Sequence, residues 1–294
     1  MTSIDDRVVQ ASRERAVTEE VVESFSGSRS DRYREVMTSL VRHLHAFARD
    51  VRVTHDEWDA GIEMLTATGK ISSETRQEFI LLSDILGLSM LTVAVNSPSD
   101  ADATEATVLG PFFVEDSPYV DLGADIAQGA SGRPCYVHGR VSDTSGAPVA
   151  DARIDIWEAD ADGFYDVQLD PGRRAGRAHM VTDAAGGYDF WSVHPAPYPI
   201  PDDGPVGRLL TAAGRSPMRP AHIHYRVAAP GCRTLVTHIF VAGDPYLGSD
   251  AVFGVKDSLV VDFTERPAGP GPRGRTLTEP WVEVEFDVTL TPEN

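Results

Sequence analysis

Cysteine is nearly absent. Cys135 and Cys232 are the only two in 294 residues, so no disulfide framework is expected and a reducing compartment such as the cytoplasm fits. Basic charge is also scarce, with 26 Lys and Arg against 45 Asp and Glu and a formal net charge of −19. A surface of that sign repels phosphate backbones and anionic lipids, which argues against nucleic-acid and membrane-surface partners. Long apolar runs are missing too. The most apolar stretch, 79–95, is interrupted by Ser83, Asp84 and Ser89 and is too short and polar for a membrane span. The first residues lack a basic segment followed by an apolar run, so no signal peptide is expected. No Gly-x-Ser-x-Gly elbow occurs, which disfavours a serine hydrolase. There is no internal repeat and no low-complexity tract. What remains is ordinary for a folded chain: 41% hydrophobic and 24% charged residues, enough for one large domain or two smaller ones.

The hydrophobic period changes along the chain. Residues 1 to about 95 read as helical. Thr18 before Glu19 and Glu20 resembles an N-cap with first-turn acids. Tyr33, Val36, Met37, Leu40, Val41, Leu44, Phe47, Ala48 and Val51 recur at steps of three and four, which makes one apolar helix face. Thr54 with Glu57 forms a capping box before Trp58, Ile62 and Leu65, and Gly69 reads as the stop. A third helix is expected from near Ser73 to about Val95, too apolar for a single buried stripe, so central or lining an interface. The polar stretch 96–106 reads as a linker. Beyond it, short alternating segments at 135–141, 152–157, 180–182, 188–191, 222–228, 234–241, 258–263 and 281–290, separated by turn signals, predict a β-sandwich. The segment 193–220 holds seven of the 20 prolines and reads as a long loop of functional type. The chain is thus mainly β, with an α-helical N-terminal domain over 1–105 and a sandwich domain over 106–294.

The stretch Arg219-Pro-Ala-His-Ile-His224 continues as Tyr225-Arg-Val227 and reads as a strand. Alternation puts His222 and His224 on one face, with Cα atoms roughly 7 Å apart, close enough for two imidazoles to share a metal. The same pattern also describes a general-base pair or two packed core histidines. Zinc would want further Cys, His or carboxylate ligands, and Cys232 is a weak candidate. Tyr165 and Tyr198 fit a different metal. A phenol titrates near pH 10, so a phenolate at neutral pH needs a strong Lewis acid beside it, and ferric iron qualifies. A single Tyr in a β-domain otherwise reads as packing with a bonded hydroxyl.

At these residues the chain resembles the intradiol ring-cleaving dioxygenases, which open catechol-type rings with non-haem ferric iron. The ordered motifs are Leu109-Gly-Pro-Phe-Phe113, Gly139-Arg-Val-Ser-Asp143, Pro148-Val-Ala-Asp-Ala-Arg-Ile-Asp-Ile-Trp157, Ala159-Asp-Ala-Asp-Gly-Phe-Tyr165, Tyr198-Pro-Ile-Pro-Asp-Asp-Gly-Pro205, Arg219 to His224, and Thr237-His-Ile-Phe-Val-Ala-Gly-Asp244. The resemblance implies one Fe(III) per chain held by Tyr165, Tyr198, His222 and His224. Tyr165 and His222 would be equatorial, Tyr198 and His224 axial. It implies that Tyr198 leaves the iron and takes a substrate proton, and that Arg219 stabilises developing negative charge. His238 stands where many relatives carry glutamine, and reads as a donor behind the ligands. The other six histidines, His43, His45, His55, His138, His179 and His194, match no ligand position. Leu81, Asp84, Val108, Leu109, Gly110, Pro111, Phe112, Ile200, Pro201 and Val252 match pocket-lining positions. Asp84 reads either as a solvated helix residue or as the partner of an additional ring hydroxyl.

Within the family the motifs look most like those that cleave hydroxyquinol, with catechol or chlorocatechol cleavage as the alternative. The substrates implied are an aromatic diol or triol and O2. The resemblance also implies a homodimer through the helical part, with a possible buried lipid. The Gly-x-Val…Ala-x-Ile-x-Ile pattern alone is shared with transthyretin-like binding modules, which lack the Tyr/Tyr/His-x-His set.

Overall fold

The computed structural model describes residues 4–73, 76–97, 102–169, 172 and 174–293. The chain forms two compact units, Met1–Thr66 and Ala67–Asn294.

In the first unit, α1 (Ile4–Glu23) and α2 (Asp31–Asp50) form a hairpin, and α3 (His55–Ile71) begins after it. Thr18 caps nothing. It lies inside α1, because Ala16 and Val17 before it offer no break, and its hydroxyl is held between His45 Nδ1 at 3.0 Å and Arg49 Nη1 at 2.7 Å on α2. Ser30 caps α2 by accepting from Tyr33 N. The expected capping box at α3 forms: Glu57 N donates to Thr54 Oγ1, and Glu57 Oε2 accepts from Thr54 N. Gly69 does not stop α3, which runs on to Ile71. Its φ is not positive, and Ser72 and Ser73 supply the exit.

The second unit opens with α4 (Glu78–Ile85) and α5 (Leu88–Asn96), where one long helix was expected. The break is Gly87. Its φ of 73° is left-handed, and its N–H bonds the Asp84 carbonyl, as at a helix C-terminus. Among the described residues no single helix is long and apolar enough to cross a membrane; α4 and α5 together would be, but they are bent by 77°. The expected start near Ser73 falls partly on residues 74–75, and part of the expected linker on 98–101, all outside the described residues.

Two five-stranded sheets follow. One is built on β1 (Pro134–Asp143), flanked by β4 (Gly187–Val193), by β13 (Trp281–Glu285) with β10 (Thr264–Arg266) outside it, and by β14 (Val288–Leu290). The expected strand 281–290 is thus two strands, both parallel to β1. They part where Phe286 N bonds His138 O and its carbonyl crosses over Gly139, which has no room for a Cβ. The other sheet runs β3-β2-β7-β8-β9: β3 (Arg177–Val181), β2 (Arg153–Glu158), β7 (His222–Ala228), β8 (Leu235–Val241) and β9 (Val260–Val261). Of the expected strand 258–263 only β9 forms; a 3-10 turn at Asp257–Leu259 takes its start, and residues 262–263 are irregular.

Branched and aromatic side chains from both sheets interdigitate, including Val137, Val141, Phe190, Val282, Val284 and Val288 from the first and Ile154, Ile156, Ile223, Tyr225, Val227 and Ile239 from the second. The segment 193–220 is less irregular than expected. It carries β5 (Tyr198–Pro199), α7 (Pro205–Ala212, with Pro205 at its first turn) and β6 (Met218–Arg219), and β5 pairs antiparallel with β6. A one-turn helix, α6 (Asp166–Leu169), precedes β3, and a small hairpin of β11 (Gly269–Pro270) and β12 (Thr276–Leu277) precedes β13.

Candidate metal centre

The outer face of the β3-β2-β7-β8-β9 sheet carries the polar cluster. Alternation along β7 sends Ile223, Tyr225 and Val227 into the core and leaves His222 and His224 on the other side. The antiparallel register sets Trp157 opposite His224, His238 opposite His224, and Phe240 opposite His222. Trp157 stacks on the His224 ring with centroids 4.6 Å apart, and His238 lies 4.1 Å away on the other neighbour strand.

Tyr165 is delivered from the loop after β2. Asp160 accepts from the backbone N–H groups of Asp162 and Phe164, Gln168 Oε1 accepts from Tyr165 N, and the buried pair Asp166–Arg177 (2.7 Å) pins α6 to β3. Tyr198 comes from β5, directly opposite Arg219 on β6.

The four side chains converge. Tyr165 Oη lies 3.1 Å from Tyr198 Oη, 2.9 Å from His224 Nε2 and 3.4 Å from His222 Nε2, and the two Nε2 atoms are 3.2 Å apart. All four residues are buried. A cation about 2.0–2.1 Å from each atom would subtend these separations at roughly 90–110°, an ordinary coordination geometry. The protonation pattern agrees. His222 Nδ1 sits 2.7 Å from the Pro220 carbonyl, which can only accept, so the proton is on Nδ1 and the Nε2 lone pair faces the cluster. Burial, and next the Arg219 guanidinium, push His222 down to about 3. Burial, then His238, hold His224 well below the ordinary imidazole range. Burial raises both phenols, against which Arg219 pulls Tyr198 down. Two imidazole nitrogens 3.2 Å apart cannot both be satisfied by one another when each is a bare lone pair, and with two phenol oxygens beside them they form a donor set for a cation, which would reverse the phenol shifts by its own charge.

His238 stands behind this set. Its Nδ1 bonds Thr107 Oγ1, while its Nε2 is buried without a hydrogen-bond partner among the described residues, as is His224 Nδ1. The ring nitrogens of His222, His224 and His238 lie within 4.8 Å of one another, so a cation held by histidines has a third donor within reach.

Arg219 is buried. Its Nη1 lies 3.0 Å from His222 Nε2, and its Nε donates to Asp250 Oδ1 at 3.1 Å. Burial would push the Asp250 carboxyl up, but Arg219 and the backbone N–H groups of Val252 and Gly254 hold it below the usual range. A narrow cleft opens beside the cluster, lined by Leu81, Asp84, Val108, Gly110, Pro111, Phe112, Ile200, Pro201 and Val252 together with Tyr198 and Arg219. Of the expected pocket residues Leu109 alone lies outside this lining, and it is exposed. Phe112 stacks on Tyr165 at 4.5 Å. Asp84 is 3% exposed, so it is no solvated helix residue. Burial raises its carboxyl, opposed by a hydrogen bond from Ser89 and by Arg219.

Sequence reasoning passed over Asp250, Trp157 and the Asp166–Arg177 pair. Asp250 is 31 residues from the arginine it holds, with no spacing that marks it. Trp157 lies in a strand motif whose pattern marks no stacking role for it.

The chain matches the family model described as Dioxygenase over residues 108–292 and the one described as Catechol dioxygenase N terminus over residues 30–104. It is 58% identical over 284 residues to a hydroxyquinol 1,2-dioxygenase of Nocardioides simplex, covering 96% of this chain and 97% of that one. It is 40% identical to a catechol 1,2-dioxygenase of Candida albicans, covering 84% of each. Its fold superposes on the crystal structure of hydroxyquinol 1,2-dioxygenase from Pseudomonas putida DLL-E4 with a TM-score of 0.88 at 43% identity, covering 96% of this chain and all of that one. A buried cluster of metal-ligating side chains on a sandwich preceded by helices, with matches of this extent on both parts, makes this chain a member of the intradiol ring-cleavage dioxygenases.

Proposed function

We propose that the chain cleaves hydroxyquinol (1,2,4-trihydroxybenzene) between its two adjacent hydroxyl-bearing carbons. Both atoms of one O2 are retained, giving 3-hydroxy-cis,cis-muconate and its tautomer maleylacetate. The observation that carries this choice is Asp84, a carboxylate sunk into an otherwise apolar wall of the cleft that also contains Tyr198 and Arg219. A buried carboxyl is costly unless donors meet it; Ser89 supplies one, and the third hydroxyl of hydroxyquinol is a further donor. The identity with hydroxyquinol-cleaving relatives supports the same choice.

The residues divide the work as follows. Tyr165, Tyr198, His222 and His224 would hold ferric iron, which would supply Lewis acidity and electron-accepting capacity toward the bound diol. Two phenolates match ferric better than divalent ions, since hard anionic oxygen donors offset its charge. Tyr198 takes a proton at Oη as the diol binds. Arg219, whose charge Asp250 secures, faces the negative charge that develops on the ring. His238 positions the His224 ring from behind. Leu81, Val108, Gly110, Pro111, Phe112, Ile200, Pro201 and Val252 enclose the ring and exclude water.

We place the division of labour at residues 1–105 and 106–294. The first part serves for pairing of two copies, consistent with exposed Tyr33, Leu40, Leu44 and Phe47 on α2. A lipid chain could be held against such a face, and a cytoplasmic setting suits the two free cysteines.

The test is oxygen uptake with iron-loaded protein. Hydroxyquinol should consume one O2 per molecule and be preferred over catechol and 4-chlorocatechol. Equal or better cleavage of catechol would instead favour a catechol 1,2-dioxygenase.

A further inference from the structure

Arg215 lies half-buried between α7 and β6, four residues before Arg219. Its backbone N–H bonds Leu210 O, which fixes its base on α7. Its guanidinium reaches two remote segments: Nη1 donates to the Ile85 carbonyl at 2.6 Å and Nη2 to the Ala251 carbonyl at 2.9 Å. Its carbon also lies 4.7 Å over the Phe253 ring. Among the described residues no carboxylate forms an ion pair with it.

Each of these contacts is to the frame of the cleft. The Ile85 carbonyl is one of the unpaired acceptors at the C-terminus of α4, where a cation is favoured. That helix carries Leu81 and Asp84. The Ala251 carbonyl immediately precedes Val252, a second lining residue, and Leu81, Ile85, Ala251 and Val252 pack in one apolar cluster. Phe253 adopts φ 60°, a strained conformation for a side-chain-bearing residue, with its ring beside Gly87 at the α4–α5 corner. Asp250 ties the same loop from the other end through Val252 N and Gly254 N. The loop 250–254 is therefore held on one side by Asp250 and on the other by Arg215.

We propose that Arg215 is a specificity-positioning residue: it touches no substrate and fixes the helix that carries Asp84 against the loop that carries Val252. The inference rests on the reading of Asp84 as the partner of the third ring hydroxyl. Without Arg215 two buried carbonyls lose their donor, α4 loses the cation at its end, and Asp84 no longer meets a hydroxyl at a set distance. Hydroxyquinol, which depends on that distance, should suffer more than catechol, which does not use it.

The experiment compares iron-loaded wild type, Arg215→Met and Arg215→Lys by steady-state kinetics and by amide hydrogen exchange. In Arg215→Met, KM for hydroxyquinol should rise roughly tenfold, and the hydroxyquinol-to-catechol ratio of kcat/KM should fall by a similar factor. Arg215→Lys, which keeps one donor, should lie between, and it stands in if the Met variant does not fold. Iron content and the visible band should be unchanged, since the ligands are elsewhere. Exchange should quicken at Leu86, Gly87 and Phe253, whose amides close these turns. Equal proportional losses for both substrates, an unchanged ratio, or unchanged exchange at those amides would overturn the proposal. Faster exchange in a protein whose wild type already prefers catechol would instead overturn the substrate reading and leave Arg215 as a clamp.

Discussion

The two faces of the β3-β2-β7-β8-β9 sheet are built by the same strands and do opposite things. The inner face presents Ile154, Ile156, Ile223, Tyr225, Val227 and Ile239 to the other sheet. The outer face presents Trp157, His222, His224 and His238, equally buried but polar at their tips, with His224 Nδ1 and His238 Nε2 lacking partners among the described residues. Burial on the inner face is worth about 1.5–3 kcal/mol for each large side chain. Burial on the outer face costs free energy unless something binds the donors. The lesson is that one strand can carry stability on one side and function on the other, with only residue parity separating them.

The sharpest way to break this contrast is at neighbouring positions of β7. His224→Leu should abolish metal binding and turnover. It should lower the unfolding free energy of the metal-free protein by less than about 1 kcal/mol, because replacing a buried polar group with an apolar one of similar size is often neutral. Metal analysis and urea titration of the metal-free protein check this; a large loss of metal-free stability would mean the outer face contributes to the core after all.

One residue away, Ile223→Ala should do the reverse. Truncating a core isoleucine costs about 2–5 kcal/mol, while the donors remain in place. The variant should melt lower yet hold the same metal per chain, measured below its melting range.

Smaller, and within the cleft, is Asp84→Asn. It should narrow the hydroxyquinol preference over catechol roughly ten- to a hundred-fold, corresponding to about 1–3 kcal/mol for a polar partner lost, chiefly by reducing hydroxyquinol turnover. An unchanged ratio would show that the buried carboxyl selects nothing.

How legible these two faces were in the sequence follows from period. A strand has a period of two, so Ile223, Tyr225 and Val227 against His222 and His224 could be sorted by parity alone. The family motifs supplied Tyr165 and Tyr198, which no local period marks. What stayed hidden depends on tertiary contact. The split of 281–290 into β13 and β14 arises from the crossing at Gly139, 147 residues before Phe286, and the break at Gly87 looks in sequence like one more small residue in an apolar run. Helix α7 was hidden by the prolines around it, although Pro205 sits at the one helical turn that tolerates it. Asp84 was ambiguous until its burial was known, since a single acid on a helix is equally a surface residue.

The inner face also holds an acid, and its effect is read as a slope with pH rather than as a single loss. Glu158 follows Trp157 on β2, has the parity of Ile154 and Ile156, and is buried. Its Oε1 accepts from Ser192 Oγ, while Oε2 has no partner among the described residues. Burial outweighs the hydrogen bonds from Ser192 and Val193 and raises the carboxyl to about 8. The folded protein therefore keeps this proton at neutral pH, whereas the unfolded chain releases it near 4.5, the ordinary value. Between those two values the folded state binds the additional proton, so stability falls as pH rises, by up to about 1.4 kcal/mol per pH unit. The contribution is complete below 4.5, is lost as pH climbs through 8, and changes no further above that. Glu158→Gln should remove this slope without touching the outer face. Urea unfolding of the two proteins at pH 5.5, 6.5 and 7.5 is the measurement. The gap between them should move steadily in favour of the glutamine variant as pH rises; a constant gap would mean that Glu158 is ionised in the folded protein, and that the inner face holds a charge rather than a neutral acid.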